Sequence, residues 1–273
     1  MNNGGPTHYQ IQGSGDPVIL IHGLAASLND WSHLLPELAT NGYRGYALDL
    51  LGHGESFKPA SREAYRFESL YQYFKEWVDS LALHQAPILI GHSLGGSVSL
   101  KYALDQPEGV RSMVLIDPLY RFDQLSPIVR LVNDNPGISE KALSFAPNWL
   151  IRMVMSLSTK IAGNVPKITM DRIAEDYERA APQIVYLIQG VPDLTAELHQ
   201  IYTPTLVIWG ARDSTLKPDS FVELVDKLPN AKGLPIPKCG HQPHLENPKL
   251  VNAKILEFLK AAQTRFDVRP GLR

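Results

Sequence analysis

Hydrophobic residues along this chain come in short, nearly unbroken runs rather than in alternation with polar ones. Residues 17–22 (PVILIH), 43–50, 87–90, 111–117 (RSMVLID) and 205–209 (TLVIW) are such runs, and 233–236 is a weaker one. A strand with one wet face alternates apolar and polar residues. A strand that is apolar throughout is buried on both faces, as in a parallel sheet covered by helices. Between the runs the period changes to that of a helix. Segment 29–39 opens with a capping-type asparagine and carries Trp31, Leu34, Leu35 and Leu38 at helical spacing. Segments 64–81, 94–105, 217–227 and 248–262 read the same way. Strands alternating with helices predict an α/β fold built on a mostly parallel, doubly wound sheet.

One interval breaks this rhythm. From Asp117 to Thr205 no strand pattern occurs, and the helical stretches there are broken by Pro127, Pro136, Pro147, Pro166, Pro182, Pro192 and Pro204. A structureless loop of that length is uncommon in a compact domain. The expectation is a helical cap over residues 119–202, inserted into a core made of 1–118 and 203–273. Within it, residues 149–157 are apolar on almost every side, interrupted only by Arg152 and Ser156. Such a helix is covered around most of its perimeter. Trp149 and Met153 are therefore candidate pocket residues that set substrate size, against the plainer reading that the segment packs among other cap helices.

Composition narrows the function classes. Of 273 residues, 44% are hydrophobic and 20% charged, and the net charge is −2. With no Lys/Arg block, nothing favours nucleic acid or an acidic membrane as partner. No apolar segment approaches the roughly 20 residues of a membrane span. Residues 1–10 lack the basic and apolar regions of a signal peptide. A cytoplasmic location is the expectation. The single cysteine, Cys239, cannot form an intrachain disulfide and reads as a small packing residue. No His, Cys or carboxylate set has metal-ligand spacing and no phosphate-binding glycine pattern occurs, so neither metal nor cofactor is expected. The pattern says nothing about oligomeric state.

The strongest chemical signal is Gly91-His92-Ser93-Leu94-Gly95-Gly96, directly after a predicted strand and directly before a predicted helix. That is the context of a G-x-S-x-G nucleophile elbow. Around it the chain resembles the α/β-hydrolase superfamily over nearly its whole length, in the serine esterase- or lipase-like branch with a helical cap. The blocks that carry the resemblance occur in order: His22-Gly23, then Asp49-Leu50-Leu51-Gly52-His53-Gly54-Glu55-Ser56, then the elbow. Trp209-Gly210-Ala211-Arg212-Asp213 and Gly240-His241, followed by Glu246 and Pro248, complete the set.

The resemblance implies a triad of Ser93 as nucleophile, His241 as base and Asp213 as acid, in the chain order this fold uses. Asp117, which also follows an apolar run, is the rival acid. The implied oxyanion hole is the backbone N–H of Leu24 and of Leu94. His22, His53 and His92 read as loop and elbow residues, and His244 is the histidine most easily confused with His241. A serine at the elbow argues against the branches that use aspartate there, the haloalkane dehalogenases and epoxide hydrolases. The expected activity is cleavage of carboxylic esters of small, largely apolar molecules, without a cofactor. A carbon–carbon bond hydrolase, a cofactor-free perhydrolase and a hydrolase-like small-molecule receptor are the alternatives.

Overall fold

The computed structural model describes residues 5–145 and 167–267. The candidate pocket residues Trp149 and Met153 lie outside the described residues.

A seven-stranded sheet forms the centre. Its strands are β1 (Tyr9–Gly13), β2 (Asp16–Ile21), β3 (Tyr43–Leu48), β4 (Ile88–His92), β5 (Ser112–Ile116), β6 (Thr205–Gly210) and β7 (Ala231–Ile236), in the spatial order β1-β3-β2-β4-β5-β6-β7. Only β1 runs antiparallel to its neighbour; the other pairs are parallel. The expected α/β class and mostly parallel sheet are what the chain forms.

The unbroken apolar runs have a direct structural reason. Successive side chains of a strand point to opposite faces, and here both faces are covered. On one face Ile19, Ile21, Leu89, Leu115 and Val207 join Phe74, Trp77 and Val98. On the other, Val18, Leu20, Ile90, Val114 and Ile208 join Trp31, Leu34, Leu38, Val251 and Ile255. Each fully buried Val, Leu or Ile contributes about 1.5–3 kcal/mol.

Helix boundaries depart from the sequence pattern in instructive ways. The predicted helix over 29–39 is two pieces, a 3-10 turn at Leu28–Trp31 and an α-helix at Leu34–Thr40. Pro36 explains the break: its ring would collide with the carbonyl four residues back, so it is tolerated only in the first turn of a helix. Ser27, not Asn29, caps the turn, accepting from the Asn29 N–H at 3.1 Å. The helix expected over 64–81 is a 3-10 turn at Arg62–Ala64 and an α-helix at Phe67–Ser80, which buries Phe67, Leu70, Tyr71, Phe74, Trp77 and Val78 along one stripe. The last helix, Pro248–Asp267, runs past its expected end.

Between β5 and β6 the described residues form helices at Pro127–Asn133, Pro136–Phe145, Lys167–Arg179 and Val185–Gln189, and no strand. Ile184, Leu187, Ile188 and Val191 from this interval join the hydrophobic cluster of the first sheet face. Among the described residues no helix is long and apolar enough to cross a membrane.

Candidate active site

Ser93 stands between β4 and the helix Leu94–Asp105, with φ +50° and ψ −112°. A non-glycine residue in this region costs about 1–3 kcal/mol and persists only when its surroundings hold it there. They do so here. The Ser93 N–H donates to the Ile116 carbonyl at 2.9 Å, and the Ser93 carbonyl accepts from Gly96 at 2.9 Å and Leu119 at 3.0 Å. A Cβ on Gly91 would collide with the Gly95 carbonyl, and one on Gly95 with the Ile21 carbonyl. The two glycines of the elbow are thus required by the close approach of backbone to backbone.

The sequence-predicted triad residues come together. His241 Nε2 lies 3.0 Å from Ser93 Oγ, and His241 Nδ1 lies 2.8 Å from Asp213 Oδ2. Asp213 follows β6, and its Oδ1 accepts from the backbone N–H of Thr215 at 2.7 Å and Leu216 at 3.0 Å. Burial alone would raise the Asp213 carboxyl. The His241 charge, its hydrogen bond and the two backbone donors outweigh that and hold its pKa below the usual carboxylate value. The loop bearing His241 is shaped by Glu246, whose carboxylate accepts from the N–H of Gly240 at 2.9 Å and of Gln242 at 3.2 Å.

The rival acid, Asp117, is also close. It follows β5, is fully buried, and has φ +42°. Its Oδ1 accepts from the Gly210 N–H at 3.0 Å, and its side chain lies against that of Asp213. Carboxylate oxygens of Asp117 and Asp213 and a nitrogen of His241 all lie within 4.8 Å of one another. Burial first, then the Asp213 charge, push the Asp117 carboxyl well above its usual range. The two carboxyls are thus pushed apart, Asp117 toward its protonated form and Asp213 toward its ionised form. Sequence reasoning treated it only as a competitor and missed this pairing, which arises because β5 and β6 are neighbours.

Leu94 follows the serine at the start of its helix, and Leu24 follows Gly23 in the loop after β2. Among the described residues neither backbone N–H donates to a carbonyl or a side chain. A Cβ on Gly23 would lie 3.2 Å from Ser93 Cβ, so glycine there lets the loop press against the elbow. His22 fixes that loop. Its Nδ1–H donates to the Gly23 carbonyl at 2.7 Å and its Nε2 accepts from the Leu50 N–H at 3.0 Å. His53, fully buried with its pKa lowered to about 3 chiefly by burial, packs edge-on against His22 at 5.0 Å. Both are structural histidines of the loops. In the glycine turn after β3, Asp49 accepts from the N–H of Leu28 at 2.8 Å and of Glu55 at 2.9 Å.

Two clusters bring possible metal-ligand atoms together among the described residues. In the first, Asp117, Asp213 and His241, the 2.8 Å contact between His241 and Asp213 is a hydrogen bond and leaves no room for an ion between them. The second is Asp30, His92 and His244, all buried, with Asp30 Oδ2 3.9 Å from His92 Nδ1 and 3.7 Å from His244 Nε2. No sequence spacing announced it. Cys239 is buried and its thiol is pushed up to about 11, first by burial and then by Glu246, so it is a packing residue and not a nucleophile. An open depression of about 420 Å³ borders Asp213 and is lined by Arg121, Gln124, Lys217 and Glu223. It reaches neither Ser93 nor His241.

Residues 16–248 match the family model of the alpha/beta hydrolase fold. The chain is 31% identical over 252 residues to the dihydrolipoyllysine-residue acetyltransferase component of the acetoin cleaving system of Pseudomonas putida, covering 90% of this chain and 64% of that protein, less than two thirds of its length. It is 27% identical to Lipase 1 of Psychrobacter immobilis, covering 85% and 73% of the two chains. In fold it is similar to a thermophilic esterase from Thermogutta terrifontis, with a TM-score of 0.79 and 24% identity over 94% and 93% of the chains. The strand order, the strained turn at Ser93 and this match over most of the sequence lead to one statement: the chain belongs to the alpha/beta hydrolase fold family.

Proposed function

We propose that this protein is a serine hydrolase that cleaves carboxylic esters of small, largely apolar molecules. The observation that carries the reading is the relay from Ser93 Oγ to His241 Nε2 at 3.0 Å and from His241 Nδ1 to Asp213 at 2.8 Å, set at a strained turn. His241 takes the Ser93 proton as Oγ attacks the ester carbonyl, and Asp213 stabilises the imidazolium. The oxyanion that forms is met by the N–H groups of Leu24 and Leu94. The tetrahedral species collapses, the alcohol leaves with the proton from His241, and Ser93 keeps the acyl group. Water, deprotonated by His241, then releases the acid. The similarity to a lipase and to an esterase fold supports an ester as substrate. A helical cap over 119–202 that sets substrate size belongs to the same proposal, as does a cytoplasmic location.

The test is a panel of p-nitrophenyl esters of increasing acyl length, run beside a dienoic diketone, with fluorophosphonate labelling of the same preparation. Ester turnover with rapid labelling at Ser93 is the expected result. Turnover of the diketone alone would make the protein a carbon–carbon hydrolase. Absence of both turnover and labelling would make it a binding protein.

A further inference from the structure

His92 is the residue before the serine, and the elbow pattern by itself gives it no task. It is buried, and its Nε2 lies 2.9 Å from the backbone carbonyl of His241. A carbonyl oxygen only accepts, so this nitrogen carries the hydrogen and donates. The bond joins residues 149 positions apart. It runs from the end of β4 to the loop that carries the base. Glu246 also holds that loop, but it belongs to the same short segment and shapes the loop without fastening it to the sheet. Among the described residues, the backbone of that loop is tied to the nucleophile's own strand through His92.

The ring is held from every side. The rings of His241 and His244 lie 5.0 and 4.6 Å away. Trp31 stacks on His244 at 5.2 Å. Asp30 Oδ2 faces His92 Nδ1 at 3.9 Å, and a Cβ on Gly23 would meet that same nitrogen at 2.9 Å. Rotating the ring to break its bond to His241 would drive it into one of these neighbours. Burial first, then His244 and His241, lower the pKa of His92 well below its usual value. It therefore remains uncharged beside the imidazolium that forms on His241.

We infer that His92 is a positioning residue for acyl transfer: its Nε2–H holds the His241 carbonyl and thereby sets the distance and angle of the His241 ring to Ser93 Oγ. The inference rests on the proposed roles of Ser93 and His241. It requires a donor at the reach of Nε2, not merely a polar side chain at position 92.

Two neutral variants separate these requirements. In His92→Gln the amide nitrogen reaches as far as the imidazole Nε2; in His92→Asn it stops near the place of Nδ1. Turnover of a p-nitrophenyl ester and the rate of fluorophosphonate labelling of Ser93 are measured for both, with Ser93→Ala as the control. His92→Asn is expected to lose about 10–100-fold in kcat with KM little changed, as for a misplaced base. Its labelling should slow in parallel, and His92→Gln should recover most of both. Wild-type rates in His92→Asn, or equal losses in the two variants, would overturn the inference. If the wild type itself neither turns over ester nor labels, the reading of the site fails first, and the two failures are told apart.

Discussion

Ser93 carries both the strain and the proposed chemistry of the site, and the two can be separated by substitution. Ser93→Ala and Ser93→Gly should both lose ester turnover while staying folded. Because φ +50° favours glycine, the glycine variant should be more stable than the alanine variant by about 1 kcal/mol. Equal thermal midpoints would show that the turn stores no strain. The two aspartates differ in a related way. Asp213→Asn should lose about 10³–10⁴-fold in kcat, through loss of the charge that orients and stabilises His241; Asp117→Asn should lose far less. The reverse ranking would move the acid to the end of β5. Asp117 should instead reveal itself in stability. Its folded pKa is raised, so the folded state keeps a proton that the unfolded chain gives up near pH 4. Stability on its account is full below that pH and falls as pH rises, by at most about 1.4 kcal/mol per unit. Asn carries no such proton. The stability of Asp117→Asn relative to wild type should therefore grow from about pH 4 upward in urea denaturation; parallel curves would show that Asp117 is ionised.

At the scale of the elements, the legible features were those whose signal lies within a few neighbouring residues. The runs at 17–22, 87–90, 111–117 and 205–209 became β2, β4, β5 and β6 because strands buried on both faces have no polar side to confuse the pattern. β1 went unread for the opposite reason. YQIQG is an edge strand, mostly exposed, whose pairing with β3 is set by backbone hydrogen bonds rather than by side-chain burial. The helix Phe67–Ser80 tests the burial argument. Phe74 is fully buried and meets Tyr102 edge-on at 5.8 Å and Trp77 at 6.3 Å. Phe74→Ala should cost about 3–5 kcal/mol by opening a cavity, read as a fall in the denaturation midpoint with the slope unchanged. A loss below about 1 kcal/mol would mean that the helix does not anchor that face.

In the whole molecule, the parallel strands place one end of every loop on the same edge of the sheet. Gly23 follows β2, Asp49 follows β3, Ser93 follows β4, Asp117 follows β5, Asp213 follows β6 and His241 follows β7. Crevices outside the carboxyl ends of such strands are the usual place for ligands. Gly23 lies where these loops press together, with a Cβ there 2.9 Å from His92 and 3.2 Å from Ser93. Gly23→Ala should therefore lower kcat/KM by about 10²-fold and also lower the unfolding midpoint, since overpacking costs about 1–3 kcal/mol; wild-type turnover and midpoint would show that the loop yields freely. The sequence alone determined the α/β class and the strands of the core and marked Ser93 at its elbow, because apolar periodicity and the glycine-flanked turn are local properties; Asp213 and His241 came only from the family resemblance, with Asp117 as a rival. Only the tertiary structure decided that Asp117 stands beside Asp213, whose charge together with burial pushes its carboxyl upward, and that Asp30, His92 and His244 gather beside the elbow. Those relations depend on which loops the order β1-β3-β2-β4-β5-β6-β7 sets side by side, and proximity across so many residues leaves no local pattern along the chain.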